Sequence, residues 1–123
     1  MELHVRPTKT EPLIHLADGV LRIEGRSIPA NSVHLYEKVI EMFYTYTKAP
    51  RENTEVHINL EYMNSTSNRS LLNLLIVAEK LHEDNKNVNV YWYYRQEDEI
   101  IHEQGKIFEE LLNLPFSFVV KRD

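Results

Sequence analysis

Three consecutive hydroxyls, Ser65-Thr66-Ser67, stand between Asn64 and Asn68-Arg69 in this chain. An alternating run, residues 55–63, precedes them, and a densely apolar run, residues 71–78, follows. The pattern is that of a strand that stops and a buried helix that starts. Hydroxyl and amide oxygens at a helix start accept the backbone N–H bonds that the first turn leaves unpaired. The same unpaired N–H groups and the positive end of the helix dipole also favour an anion there, a phosphate included. From the residues alone the junction is either a plain cap or a phosphorylation switch. A single side chain suffices for capping, whereas three hydroxyls in a row exceed that need.

No other constellation offers chemistry. The chain has no cysteine, which removes thiolate catalysis, disulfides and zinc–thiolate sites. Its six histidines fall at no metal-ligand spacing. There is no Gly-x-Ser-x-Gly elbow, and the three glycines, Gly19, Gly25 and Gly105, form no phosphate-cradling loop. The expectation is a protein without enzymatic turnover, metal or cofactor. Tyr91-Trp92-Tyr93-Tyr94 offers faces for base stacking, but at a net charge of −5 and a pI near 5.7 the basic surround of a nucleic-acid binder is missing. Alternating core and surface aromatics is the better reading. Glu97, Asp98 and Glu99 open a helix, where acids complement the dipole.

The elements that position the junction follow from periodicity. With 123 residues and 42% hydrophobic content, the chain is expected to form one domain over residues 1–123, with residues 1–10 a loose arm. Residues 13–16 and 20–25 read as a hairpin turned at Ala17-Asp18-Gly19, with Gly19 free to take positive φ. A helix is expected from Asn31 or Ser32, as its cap, to about Lys48. Val33, Tyr36, Ile40 and Phe43 form its stripe, and Leu35, Val39, Met42 and Tyr46 widen it. In the strand over 55–63, Val56, Ile58 and Leu60 share one face, and His57, Asn59 and Glu61 the other. A second helix spans about 67–84 and a strand 88–94. A third helix ends near Asn113, with Ile100, Ile101, Ile107, Phe108, Leu111 and Leu112 as its apolar positions. A last strand covers 116–120. The order β-β-α-β-α-β-α-β predicts an α/β fold with a mixed, mostly parallel sheet, an N-terminal β-hairpin and three helices. No leader peptide and no run of about 20 apolar residues is present, so a cytoplasmic protein without membrane contact is expected.

The junction Tyr62-Met63-Asn64-Ser65-Thr66-Ser67 resembles the phosphorylation segment of SiaC-type regulatory phosphoproteins, single bacterial domains with a STAS-like fold. Gly25-Arg26-Ser27-Ile28-Pro29-Ala30-Asn31-Ser32 is similar to that family's Gly-Arg-Ser-x-Pro-Glu-Asn-Ser segment, with Ala30 in place of the usual Glu. Val90 to Tyr94 and Pro115-Phe116 extend the likeness. The resemblance implies a partner switch. A Ser/Thr kinase phosphorylates the junction, a PP2C-type phosphatase reverses it, and the unphosphorylated form binds a target. In SiaC-type systems the target is a diguanylate cyclase; in STAS-type antagonists it is an anti-sigma kinase. Asn64 matches the residue before the acceptor and Ser65 the acceptor, while a shift of one residue makes Thr66 the acceptor. Asn64, Ser67, Asn68 and Arg69 are the partner-binding residues the segment implies. The STAS antagonists carry Asp-Ser-x-Gly here, which this chain lacks, and that favours the cyclase over the anti-sigma target.

Overall fold

The computed structural model describes residues 2–27, 32–84 and 86–122. Six strands and three helices follow in the order β1 (Leu3–Val5), β2 (Leu13–Ala17), β3 (Val20–Ser27), α1 (Ser32–Tyr46), β4 (Asn53–Met63), α2 (Ser65–Glu83), β5 (Asn87–Arg95), α3 (Glu99–Leu111) and β6 (Phe116–Lys121). The expected hairpin, three helices and mixed sheet are all present. The strands lie side by side in sequence order, antiparallel from β1 to β3 and parallel from β3 to β6.

Residues 3–5 depart from the expected loose arm. Leu3, His4 and Val5 pair with Leu16, His15 and Ile14, and Leu3 is buried. Three residues with one buried side chain are too few to show a period, so no local pattern announces this edge strand. Ser32 is the first residue of α1, while Asn31, the other expected cap, and the Ile28-Pro29-Ala30-Asn31 part of the family-like segment lie outside the described residues. The hairpin turn is tighter than expected: Ala17 belongs to β2, and Asp18 as well as Gly19 has positive φ, 53° and 81°. That is the geometry of a two-residue turn whose twist suits the flanking strands. A side chain at Gly19 would also meet the Asn53 carbonyl oxygen at 2.8 Å.

Each parallel step moves to the next strand on the same side. Right-handed crossovers therefore place all three helices on one face of the sheet. The core lies between that face and the helices. Ile14, Leu16, Leu21, Ile23, Val56, Ile58, Leu60, Val88, Val90 and Trp92 meet Tyr36, Val39 and Phe43 of α1, Leu71, Leu74, Leu75 and Ala78 of α2, and Ile101 and Phe108 of α3. Period-two alternation predicts these strand positions, and it separates Trp92, in the core, from the half-exposed Tyr91 and Tyr93. On the far face His57 is buried, although its strand neighbours Asn59 and Glu61 are not. Tyr91 stacks on its ring at 4.7 Å, the Tyr93 hydroxyl lies 2.8 Å from Nδ1, and the Glu55 carboxylate lies 2.7 Å from Nε2.

Candidate functional site

The junction is built where β4 ends and α2 begins, at the C-terminal edge of the parallel strands. Asn64 is extended (φ −104°, ψ −177°), and its side-chain oxygen accepts the Ser67 N–H at 2.9 Å. Its carbonyl accepts the Asn68 N–H at 2.8 Å and begins the helical ladder. Asn64 is therefore the cap, and α2 starts two residues before the expected Ser67. Asn64→Ala is expected to lower stability by about 1 kcal/mol in a denaturant titration, as loss of a cap does. An unchanged midpoint would show that the bond contributes nothing.

With the cap supplied by Asn64, the three hydroxyls separate by position. Ser65 and Thr66 are the first two helical residues and are exposed, and neither hydroxyl bonds to another described residue. Ser67, expected at the partner surface, is instead 1% exposed. Ser27 Oγ donates to Ser67 Oγ at 2.6 Å, and Ser67 Oγ donates to the Ser27 carbonyl at 3.1 Å. Ser27 Oγ lies 3.1 Å from the buried Tyr36 hydroxyl, which is left to donate to it. The chain from Tyr36 through Ser27 to Ser67 ties α1, the end of β3 and the start of α2 together. Burial pushes the Tyr36 phenol above its ordinary range, and the Ser27 hydrogen bond partly offsets this. In the sequence Ser27 stands only at the head of a helix-start signal, Ser27 to Ser32, and within the family-like segment. Its role as the centre of this chain depends on a contact 40 residues away, which no local pattern records.

Beyond the hydroxyls, α1 and α2 enclose a cleft lined by Glu37 and Ile40 from one helix and Ser65, Thr66, Arg69, Ser70 and Asn73 from the other. Arg69 is exposed on the cleft wall, one turn beyond Ser65 and Thr66. Asn68 is half-buried, and its side-chain oxygen has no hydrogen-bond partner among the described residues. The structure thus brings Ser65, Thr66 and Arg69 together at one surface, places Asn68 beside them, and turns Ser67 inward. No imidazole or carboxylate of a described residue bonds to the Ser65 or Thr66 hydroxyl, so neither has the base that an internal nucleophile needs. These hydroxyls are suited to be acted upon. Among the described residues no group of three or more potential ligands could hold a metal, and no helix is long and apolar enough to cross a membrane.

One small α/β sheet with all its helices on one face presents two exposed hydroxyls, Ser65 and Thr66, at a capped strand–helix junction. Residues 5–121 match the model of the SiaC family of regulatory phosphoproteins. The chain belongs to that family. It is similar to an uncharacterized protein of Pseudomonas aeruginosa (strain UCBPP-PA14), 27% identical over 118 residues, with 94% of each chain covered. Among solved structures, apo-SiaC from Pseudomonas aeruginosa superposes with a TM-score of 0.88 at 26% identity, over 98% of this chain and 99% of that one. The crystal structure of the diguanylate cyclase SiaD in complex with its activator SiaC, from the same organism, matches with a TM-score of 0.88 at 27% identity, over 97% of this chain and 99% of that one.

Proposed function

We propose that this chain is a non-enzymatic, phosphorylation-switched activator of a diguanylate cyclase, acting through the α2 junction. Ser65 is the phosphoacceptor, with Thr66 the alternative, and Asn68 and Arg69 belong to the partner surface. Asn64 and Ser67 hold the surface in place from below. A Ser/Thr kinase adds the phosphate and a PP2C-type phosphatase removes it. The observation that carries this reading is the division of labour at the junction: Asn64 does the capping and Ser67 is buried, so Ser65 and Thr66 stand exposed and uncommitted. The family's description as regulatory phosphoproteins and the solved cyclase complex of a relative support the choice of modification and partner.

The switch needs no refolding. A phosphate brings about −1.5 to −2 charge and three acceptor oxygens. The helix start tolerates that charge, and Arg69 lies one turn away. A docked partner surface meets new charge and bulk instead. Loss of a buried polar pair at an interface costs about 2–5 kcal/mol, roughly thirtyfold or more in affinity. The test is calorimetric titration of the cyclase with protein phosphorylated by its kinase and with unmodified protein. Binding should be lost on phosphorylation and kept in Ser65→Ala, which should also resist the kinase. If the phosphorylated form binds equally well, the chain is a plain adaptor.

A further inference from the structure

The sequence offers six apolar positions along α3 and at its end, and the structure buries only one row of them. Ile101, Phe108 and Leu112 are buried, while Ile100, Leu111 and Ile107 are 82%, 63% and 42% exposed. At about 100° per residue, Ile100, Ile107 and Leu111 fall on a single flank of the helix. The opposite flank faces β6: His102 packs edge-on to Phe118 at 5.7 Å, and Lys106 Nζ lies 4.3 Å over the same ring. The apolar flank therefore points away from the sheet edge, toward α2. Across from it, Glu79 of α2 accepts the Asn113 N–H just past the end of α3 at 2.6 Å. Asn68 and Leu72 share that side of α2 by their spacing with Glu79. On its other side α2 faces α1, and a second groove there is lined by Tyr44 and Lys48 of α1 and the loop after it and by Val77 and Leu81 of α2.

We propose that the exposed flank of α3, with the facing side of α2, is a docking surface for a partner segment whose apolar side chains are bordered by lysine and arginine. Three large aliphatic side chains exposed in one row on a 13-residue helix are more than scattered surface apolarity. Their surround fixes the sign of the partner. Exposed Glu99, Glu103 and Glu110 run along the crest of α3, and Glu83 stands exposed on α2 near Glu79. This acid border complements a basic segment and repels an anionic lipid surface, which points to a protein and away from a membrane. The surface also begins beside the junction. Ser65, Asn68, Leu72 and Glu79 follow one another at three- and four-residue steps and their multiples along α2, so Ser65, which also lines the α1 cleft, stands at its edge. A phosphate on Ser65 would add charge at the mouth of a surface that is already acidic.

This inference rests on the cyclase-activator reading above and adds where, and with what chemistry, the cyclase is held. The test titrates the diguanylate cyclase with unphosphorylated wild-type protein, with the double variant Ile107→Glu, Leu111→Glu, and with the double variant Glu103→Lys, Glu110→Lys. Ile100→Ser, at the most exposed of the three positions, is a third variant that leaves the core untouched. Far-ultraviolet circular dichroism and thermal midpoints should match wild type, because all these residues are exposed. The apolar variant should bind at least tenfold more weakly, the charge-reversed variant about threefold or more, and Ile100→Ser in the same direction. Wild-type binding should weaken as salt rises. If all three variants bind like wild type while phosphorylation still abolishes binding, the docking surface is refuted and the switch stands. If wild-type protein does not bind the cyclase at all, both readings fall. If the wild type sediments as a dimer that Ile107→Glu, Leu111→Glu converts to monomer, the occupant is a second copy and the basic-partner proposal is overturned.

Discussion

Gly105→Ala is expected to destabilise the domain by roughly 2–4 kcal/mol, although alanine is the better helix former. Gly105 is the point at which α3 rests on Trp92. A Cβ there would lie 2.5 Å from the indole Nε1 and 2.6 Å from Cδ1. Trp92 has no room to move aside. It is fully buried, its ring packs edge-on against Phe108 at 5.6 Å, and its Nε1–H donates to the Ile101 carbonyl at 2.9 Å. Either α3 lifts or the indole turns, and both stretch that hydrogen bond. Overpacking costs about 1–3 kcal/mol and a buried donor left unpaired about 1–3 more, against a propensity gain of at most about 1. Urea denaturation would show the loss as a lower midpoint with an unchanged slope. Trp92→Phe makes room at the same point, so Gly105→Ala should cost markedly less in that background. Strictly additive losses would show that the two residues do not oppose each other.

That contact also explains what the sequence could and could not disclose about α3. Its existence follows from spacing, and the acid at its start proves to be a cap, with Asp98 Oδ1 accepting the Ile101 N–H at 3.0 Å. Which of its two apolar rows faces inward does not follow from spacing, because Ile100 and Ile101 repeat at the same period. A glycine on the inner row, against a tryptophan on the sheet, decides it, and that pairing belongs to the tertiary fold. In α2 the question hardly arises. Leu71, Leu74, Leu75 and Ala78 fall within about 100° of one another and form one inner face. The strands were legible for a related reason: with all helices on one side, period two separates core from far face without ambiguity. His57 is the exception, since its burial comes from side chains on β4 and β5 rather than from a layer of structure.

The candidate site was legible in place but not in detail. Strand, hydroxyls and apolar helix announce a junction. Consecutive helical residues, however, point about 100° apart, so one of three adjacent hydroxyls must differ sharply from the others in environment. No local rule says which. The side chain of Asn64 settles the phase by taking the cap, and the phase turns Ser67 toward Ser27 and leaves Ser65 and Thr66 outside.

An aspartate series across the junction should therefore split in two. Ser65→Asp and Thr66→Asp are expected to keep or slightly raise stability, by up to about 1 kcal/mol at low salt, because a carboxylate in the first turn complements the dipole. Ser67→Asp is expected to lose roughly 3 kcal/mol or more, the range for a charge left buried without a partner. At that position the new carboxylate replaces a hydroxyl that is 1% exposed and that donates to the Ser27 carbonyl. An ionised carboxylate cannot donate, and it faces that carbonyl oxygen instead. Protonation relieves the conflict. The folded-state pKa of the introduced carboxyl group should be raised, so the Ser67→Asp deficit should shrink as the pH falls through the carboxylate range and persist above it. Thermal unfolding of the three variants between acid and neutral pH reads both effects. The same asymmetry bears on the proposed switch: of the three junction hydroxyls, Ser67 is the one whose phosphorylation would break the bonds among Tyr36, Ser27 and Ser67. A Ser67→Asp protein as stable as Ser65→Asp at neutral pH would mean that the buried hydroxyl chain does not hold α2 in its observed phase.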